Sequence, residues 1–291
     1  MTRNASVCQE AVSKDERRLT VDALWRAQQV AFGPGEHVEQ ESFVRASEIL
    51  TLAERAGIGP GVSVLDLCCG VAGAGRFVTR ELGCVYLGVD SSESAVAVAA
   101  ERARGLPCRF EVGEVPPLPP GTFEVVLLLE TMLAFRDKEA LLEEIARALP
   151  AGGRFAFTLE EGVPLTESER ARMPAADTVW LTPLDEMHAV LARAGFAVRW
   201  EENWSESHRE VAAALTDAYA ADSTAIASRI GRRALEELLA GHRLWTEWLA
   251  AGRVRKFGLV AERPAEGAAI PVVRAGARSP CESRTSGWEH A

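Results

Sequence analysis

No stretch of this 291-residue sequence approaches the ~20 consecutive apolar residues that a membrane span requires, although 47% of its residues are hydrophobic. The amino-terminal segment MTRNASVCQEAVSKDERR lacks the continuous apolar run of a secretory signal, so a cytoplasmic, reducing location is expected. The six cysteines include no CxxC pair. Cys8, Cys68, Cys69, Cys84, Cys108 and Cys281 are not spaced like the ligands of a tetrahedral zinc site, and they read as small apolar residues rather than as metal ligands or disulfide partners. No basic tract interleaved with aromatics offsets the formal net charge of −10, which repels a phosphate backbone. These absences exclude nucleic acid and membrane as expected partners and leave a small molecule. They leave the oligomeric state open, a homodimer included.

What is present is a rhythm of seven short β-rich runs: VSVLDL from Val62, VYLGV from Val85, RFEV from Arg109, FEVVLLL from Phe123, RFAFTL from Arg154, FAVRW from Phe196 and VRKFGLV from Val254. Most are nearly continuous apolar runs, as in strands buried on both faces. Helix-like stretches at 92–103 and 137–148 alternate with them, which implies an α/β fold with a mostly parallel sheet and helices on both faces. A mostly helical insertion at 205–251 precedes the last strand. The chain therefore divides into a flexible start (1–18), one domain (19–262) with a helical cover at 19–57, and a Pro-, Gly- and Arg-containing tail (263–291) expected to be disordered.

The main chemical signal is VLDLCCGVAGAG, beginning at Val64. A strand ends at Asp66 and enters a small-residue loop with Gly70, Gly73 and Gly75, after which a helix presents free N–H groups to a ligand. Asp90 closes the next strand, at the spacing of a carboxylate that accepts both hydroxyls of a ribose. Asp66 would be unfavourable beside a pyrophosphate but is complementary to an ammonium and a sulfonium, which favours S-adenosylmethionine over a dinucleotide.

With those residues in view, the chain resembles the class I S-adenosylmethionine-dependent methyltransferases. LDLCCG is similar to the first motif of the ubiquinone- and menaquinone-biosynthesis type, with Cys68 where glycine is common. The pattern is also similar to sarcosine/dimethylglycine and natural-product tailoring methyltransferases. The resemblance covers roughly residues 62–200 plus the last strand. It implies a Rossmann-like seven-stranded sheet whose last strand is antiparallel. It further implies that Asp66, Cys68, Gly70, Gly73, Asp90 and Ser91 bind S-adenosylmethionine, leaving S-adenosylhomocysteine as product. Glu114 and Val115 would meet the adenine, and Leu129 would lie on the fourth-strand segment beside the cofactor.

Methyl transfer from an activated sulfonium needs alignment, water exclusion and, for some acceptors, removal of a proton. His208, just past strand six, and Glu130, at the end of strand four, are the candidate catalytic residues; His242 is a second histidine at helical spacing. Glu160 and Glu161, read as lying just past strand five, are candidates to orient an amine. Trp180, Trp204, Trp245 and Trp248 are candidate pocket walls. Residues 19–32 read as a helix over the cofactor, hinged at Gly33-Pro34-Gly35, with a second helix starting near Glu39. The function expected is methyl transfer to nitrogen or oxygen of a small molecule in specialised metabolite biosynthesis. The alternative is a cyclisation or rearrangement on the same fold.

Overall fold

In the computed structural model, which describes residues 13–173 and 176–265, each of the seven apolar runs becomes a strand of one sheet. The strands are β1 (Ser63–Leu67), β2 (Val85–Asp90), β3 (Cys108–Val112), β4 (Val125–Leu128), β5 (Arg154–Glu161), β6 (Ala197–Asn203) and β7 (Arg255–Glu262). Their order is β3-β2-β1-β4-β5-β7-β6, with β7 antiparallel to both neighbours and every other pair parallel. The helices are α1 (Lys14–Phe32), α2 (Ala46–Arg55), α3 (Gly73–Leu82), α4 (Glu93–Arg102), α5 (Lys138–Ala148), α6 (Glu167–Arg172), α7 (Leu184–Arg193), α8 (Ser205–Ala221), α9 (Ser223–Ile230) and α10 (Arg232–Ala250).

Local chemistry sets the helix starts. Ser92 and Asp137 accept from the N–H groups of Ala95 and Ala140, opening α4 and α5, and Ser13 with Glu16 forms a reciprocal cap that opens α1. Because α1 begins at Lys14, its first turn lies within the segment expected to be flexible. The second helix begins at Ala46 rather than near Glu39, whose φ of 65° is incompatible with a right-handed turn.

Strand alternation divides the core between two faces. Leu65, Leu67, Val126, Leu128, Phe155 and Phe157 pack on one side, against Leu141 and Ile145 of α5 and Met187 and Leu191 of α7. Val64, Tyr86, Val125, Leu127, Ala156 and Val260 face the other side, against Ile49 and Leu52 of α2 and Val78 of α3. Each such side chain contributes about 1.5–3 kcal/mol by leaving water. The insertion before β7 is three helices, α8 to α10, and with α1 they enclose a separate apolar cluster that includes Ala27, Phe32, Val211, Leu215 and Tyr219. Among the described residues no helix is long and apolar enough to cross a membrane. Most of the tail expected to be disordered lies outside the described residues.

Candidate active site

β1 and β2 end side by side, and the loop after β1 crosses the end of β2. There the Gly70 N–H donates to Asp90 Oδ2 (2.8 Å) and the Ser92 N–H donates to Oδ1 (2.9 Å). Two backbone donors thus fix the half-buried Asp90 carboxylate while lone pairs on both oxygens remain free to accept further hydrogen bonds. Cys68 (φ 58°) and Gly70 (φ 55°) both take the left-handed conformation that turns the loop back over the sheet. Ser91 is exposed beside Asp90, and Leu129 is half-buried just past β4. Glu114 is exposed and Val115 half-buried in the loop after β3.

Asp66 and Gly73 differ from their sequence reading. Asp66 is 3% exposed, and the Tyr86 hydroxyl donates to its Oδ2 at 2.6 Å. Burial pushes the carboxyl up to about 7 in spite of that hydrogen bond. This acid ties β1 to β2 and is buried from the loop side. A Cβ on Gly73 would stand 2.3 Å from the Glu39 backbone, and one on Gly75 would stand 2.2 Å from the Tyr86 ring. These glycines admit the 36–45 loop and the tyrosine, whereas Gly70 faces the Glu41 carboxylate, 3.1 Å from where its own Cβ would be.

Glu41 also lines a cavity of about 400 Å³ between the sheet and the helices α1, α8 and α10. Its floor is built from β4, β5 and β7. Glu160 and Lys256 face each other across the antiparallel β5–β7 pair, and the Lys256 ammonium donates to Glu160 Oε1 and Glu130 Oε2, both at 2.6 Å. Glu160 and Glu161 therefore lie within β5, not beyond it; the strand continues because β7 pairs with it to the end. Glu130 has a left-handed backbone (φ 57°), held by its N–H donating to Thr158 Oγ1 at 2.5 Å. Burial raises the Glu130 carboxyl, but Lys256 and His208 outweigh it and hold the group below the ordinary range; Glu160 is raised by burial and by Glu130. Burial also opposes the Lys256 charge, yet the two carboxylates keep its pKa above the usual lysine value.

Phe43, Tyr219, His242 and Trp245 supply the aromatic wall of this cavity. Of the four candidate tryptophans only Trp245 lines it. Trp204 packs against Gly258, Trp248 lies in an apolar cluster, and Trp180 stacks between Arg136 and Arg170. His208 is a correction: it is 0% exposed, lies outside the cavity lining and sits 3.3 Å from Glu48, because the first turn of α8 tucks it behind Trp204. His242, which is half-buried, lines the cavity instead. Its Nδ1 lies 2.8 Å from the Leu238 carbonyl, so Nδ1–H donates, Nε2 is left as an acceptor, and burial lowers its pKa. Glu41 and Lys256 were missed in the sequence; the only cue was the lone lysine in the otherwise apolar KFGLV.

A family model described as a methyltransferase domain matches residues 64–153, which run from β1 to the turn before β5. Over 210 residues the chain is 26% identical to phosphoethanolamine N-methyltransferase 1 of Arabidopsis thaliana, an alignment that covers 70% of this chain and 39% of the plant protein. It is 27% identical over 194 residues to methyltransferase GfsG of Streptomyces halstedii, covering 62% of this chain and 69% of that protein. Phosphoethanolamine N-methyltransferase 2 of Haemonchus contortus, solved with phosphomonomethylethanolamine and S-adenosylhomocysteine, has a TM-score of 0.71 at 22% identity, covering 84% of this chain and 58% of that one. This likeness speaks for the fold, and the chain spans well under half the length of the plant relative. By its sheet order and these matches, the chain has the Rossmann-like fold of the S-adenosylmethionine-dependent methyltransferases and carries a methyltransferase domain over residues 64–153.

Proposed function

We propose that the protein binds S-adenosylmethionine at the β1–β2 corner and transfers its methyl group to nitrogen or oxygen of a small molecule held in the adjoining cavity. The observation that carries this reading is the Asp90 carboxylate, oriented by two backbone donors beside an open glycine and left with free lone pairs. Asp90 would accept the two ribose hydroxyls, Gly70 would let the backbone approach the cofactor, and the backbone of Glu114 and Val115 would meet the adenine edge. Glu41 is the acid facing Gly70, so it takes over the charge-complementing role first given to Asp66. When bound, the cofactor supplies a methyl group already activated by a positively charged sulfur.

The chain's own residues then have three tasks. Helices α1, α8 and α10 exclude water from the cavity, the aromatic wall aligns the acceptor, and Glu130 or the Nε2 of His242 accepts a proton where the acceptor must lose one. A cytoplasmic setting belongs to the same reading. Incubation with methyl-labelled S-adenosylmethionine and a panel of amines and alcohols tests it. Label in the product supports the reading, whereas product without label would replace methyl transfer with a cyclisation or rearrangement.

A further inference from the structure

The floor of the cavity sets two carboxyl groups against one ammonium. Glu130 and Glu160 share the single ammonium of Lys256, each through one oxygen. Their other oxygens, Glu130 Oε1 and Glu160 Oε2, are buried and accept no hydrogen bond, although both residues line the cavity. The Glu160 side chain is 1% exposed and that of Glu130 11%, so bulk water does not solvate these oxygens. A buried carboxylate oxygen without a donor costs about 1–3 kcal/mol, and more where it carries charge. Satisfying both requires a donor inside the cavity.

The remaining lining decides what kind of donor. Glu41 and Glu237 join Glu130 and Glu160, and Lys256 is the one lysine or arginine among the lining residues. Arg17 reaches Glu41 (2.6 Å) and Arg233 reaches Glu237 (2.8 Å) from outside the lining, so the carboxyl oxygens left without a donor are those of the floor. His242, the lining histidine, is kept neutral by burial. A cavity whose lining carries four carboxyl groups and one ammonium favours cations over anions. Its walls accept a positive group as well, since Lys256 Nζ already lies 5.7 Å from the ring centroids of both Phe43 and Trp245. Leu24, Leu133, Leu215 and Leu238 complete an apolar lining that suits a hydrocarbon body.

We infer that the acceptor is an amine with an apolar or aromatic body and no anionic group, seated with its nitrogen donating to the free oxygens of Glu130 and Glu160. This rests on the cavity being the acceptor site, and it separates the chain from relatives whose names specify a phosphorylated amine. Held there, an ammonium supplies both missing donors. To react, it gives one proton to a carboxylate, and its freed lone pair forms the nitrogen–carbon bond. The methyl carbon's bond to sulfur breaks, the electron pair stays on sulfur, and the product is a methylated ammonium.

The test is direct binding, measured by calorimetry on the full chain with and without S-adenosylhomocysteine. The probes are 2-phenylethylamine, its neutral counterpart 2-phenylethanol, and phosphoethanolamine. The amine should bind at least tenfold more tightly than either of the others. Glu130→Gln and Glu160→Gln, which keep side-chain shape, should each remove most of that preference without changing affinity for the alcohol. A melting curve on each variant separates loss of the site from loss of the fold; if a variant unfolds, the wild-type order of the probes decides. Equal binding of amine and alcohol, preference for phosphoethanolamine, no binding of any probe, or folded Gln variants with an unchanged amine preference would overturn the inference. Failure of S-adenosylhomocysteine to bind while the amine still does would instead overturn the cofactor reading alone.

Discussion

The β1–β2 corner and the β5–β7 floor both hold acidic side chains at strand ends, but they are built in opposite ways. At the corner, Asp90 is oriented by the N–H groups of Gly70 and Ser92, all contributed by one strand–loop–strand unit within about thirty residues. On the floor, Glu130 and Glu160 are oriented by Lys256, which lies 126 and 96 residues away in sequence and arrives on β7, a strand antiparallel to both of its neighbours. The corner depends on local backbone geometry and keeps its acid half-open. The floor depends on tertiary pairing and buries its charges. A site whose charges are held only by each other is far more sensitive to loss of one partner.

That contrast predicts a graded set of outcomes. Lys256→Met should have the largest effect, because it leaves two buried carboxylates without a counter-charge; a stability loss of about 3–5 kcal/mol is expected by urea denaturation. Adding Glu130→Gln and Glu160→Gln to that variant should restore most of the loss. A single variant as stable as the wild type would show that the floor is solvated.

Asp66 provides a smaller and pH-dependent difference. Burial raises its folded pKa to about 7 from the ordinary 3.8, so the folded state holds a proton that the unfolded state releases in this interval. The stability this provides is complete below about pH 3.8 and is lost as pH rises through about 7, a contribution on the order of 1–4 kcal/mol. In Asp66→Asn that decline between pH 4 and pH 7 should vanish from the urea midpoints while the Tyr86 contact persists. An unchanged pH profile would mean that Asp66 does not titrate in this range.

The smallest effect concerns the amino-terminal cover. Gly33 and Gly35 both have positive φ, and the loop that follows is tied down by Glu39 to Arg76 and Arg102 and by Glu41 to Arg17. Since α1 also buries Val21, Ala27 and Phe32, it is part of the core as well as a cover. Limited proteolysis within 33–45 should slow about two- to tenfold when S-adenosylhomocysteine is added. Cleavage indifferent to the ligand would make this segment purely structural.

The same contrast explains what could be read from the sequence. The strands were legible because runs such as FEVVLLL and RFAFTL are buried on both faces, and the meeting of Asp90 with the glycine loop was legible because it follows from their spacing on adjacent strands. The floor was not, because the Glu160–Lys256 pairing is a matter of antiparallel register and no local pattern encodes it. Glu160 looked like a loop residue for that reason. Strand parity does place Thr158 and Glu160 on the face of Ala156, but the alternation reads only once the helices covering that face are known. Asp66 lies within β1 in register with Gly88, two residues short of Asp90 at the end of β2, so it is buried and reached by the Tyr86 hydroxyl while Asp90 stays half-open. That His242 and not His208 lines the cavity was not legible, because which residues of a helical insertion face a cavity depends on how its helices pack.

Calorimetric titration of S-adenosylhomocysteine into the wild-type protein and Asp90→Ala, with melting curves to confirm that both are folded, tests the central claim most directly. One molecule should bind per chain, and the variant should bind at least about tenfold more weakly, because hydrogen bonds to an ionised carboxylate are roughly twice as strong as neutral ones. No binding to the wild type, or the same affinity in a folded Asp90→Ala, would contradict the assignment of the β1–β2 corner as the cofactor site.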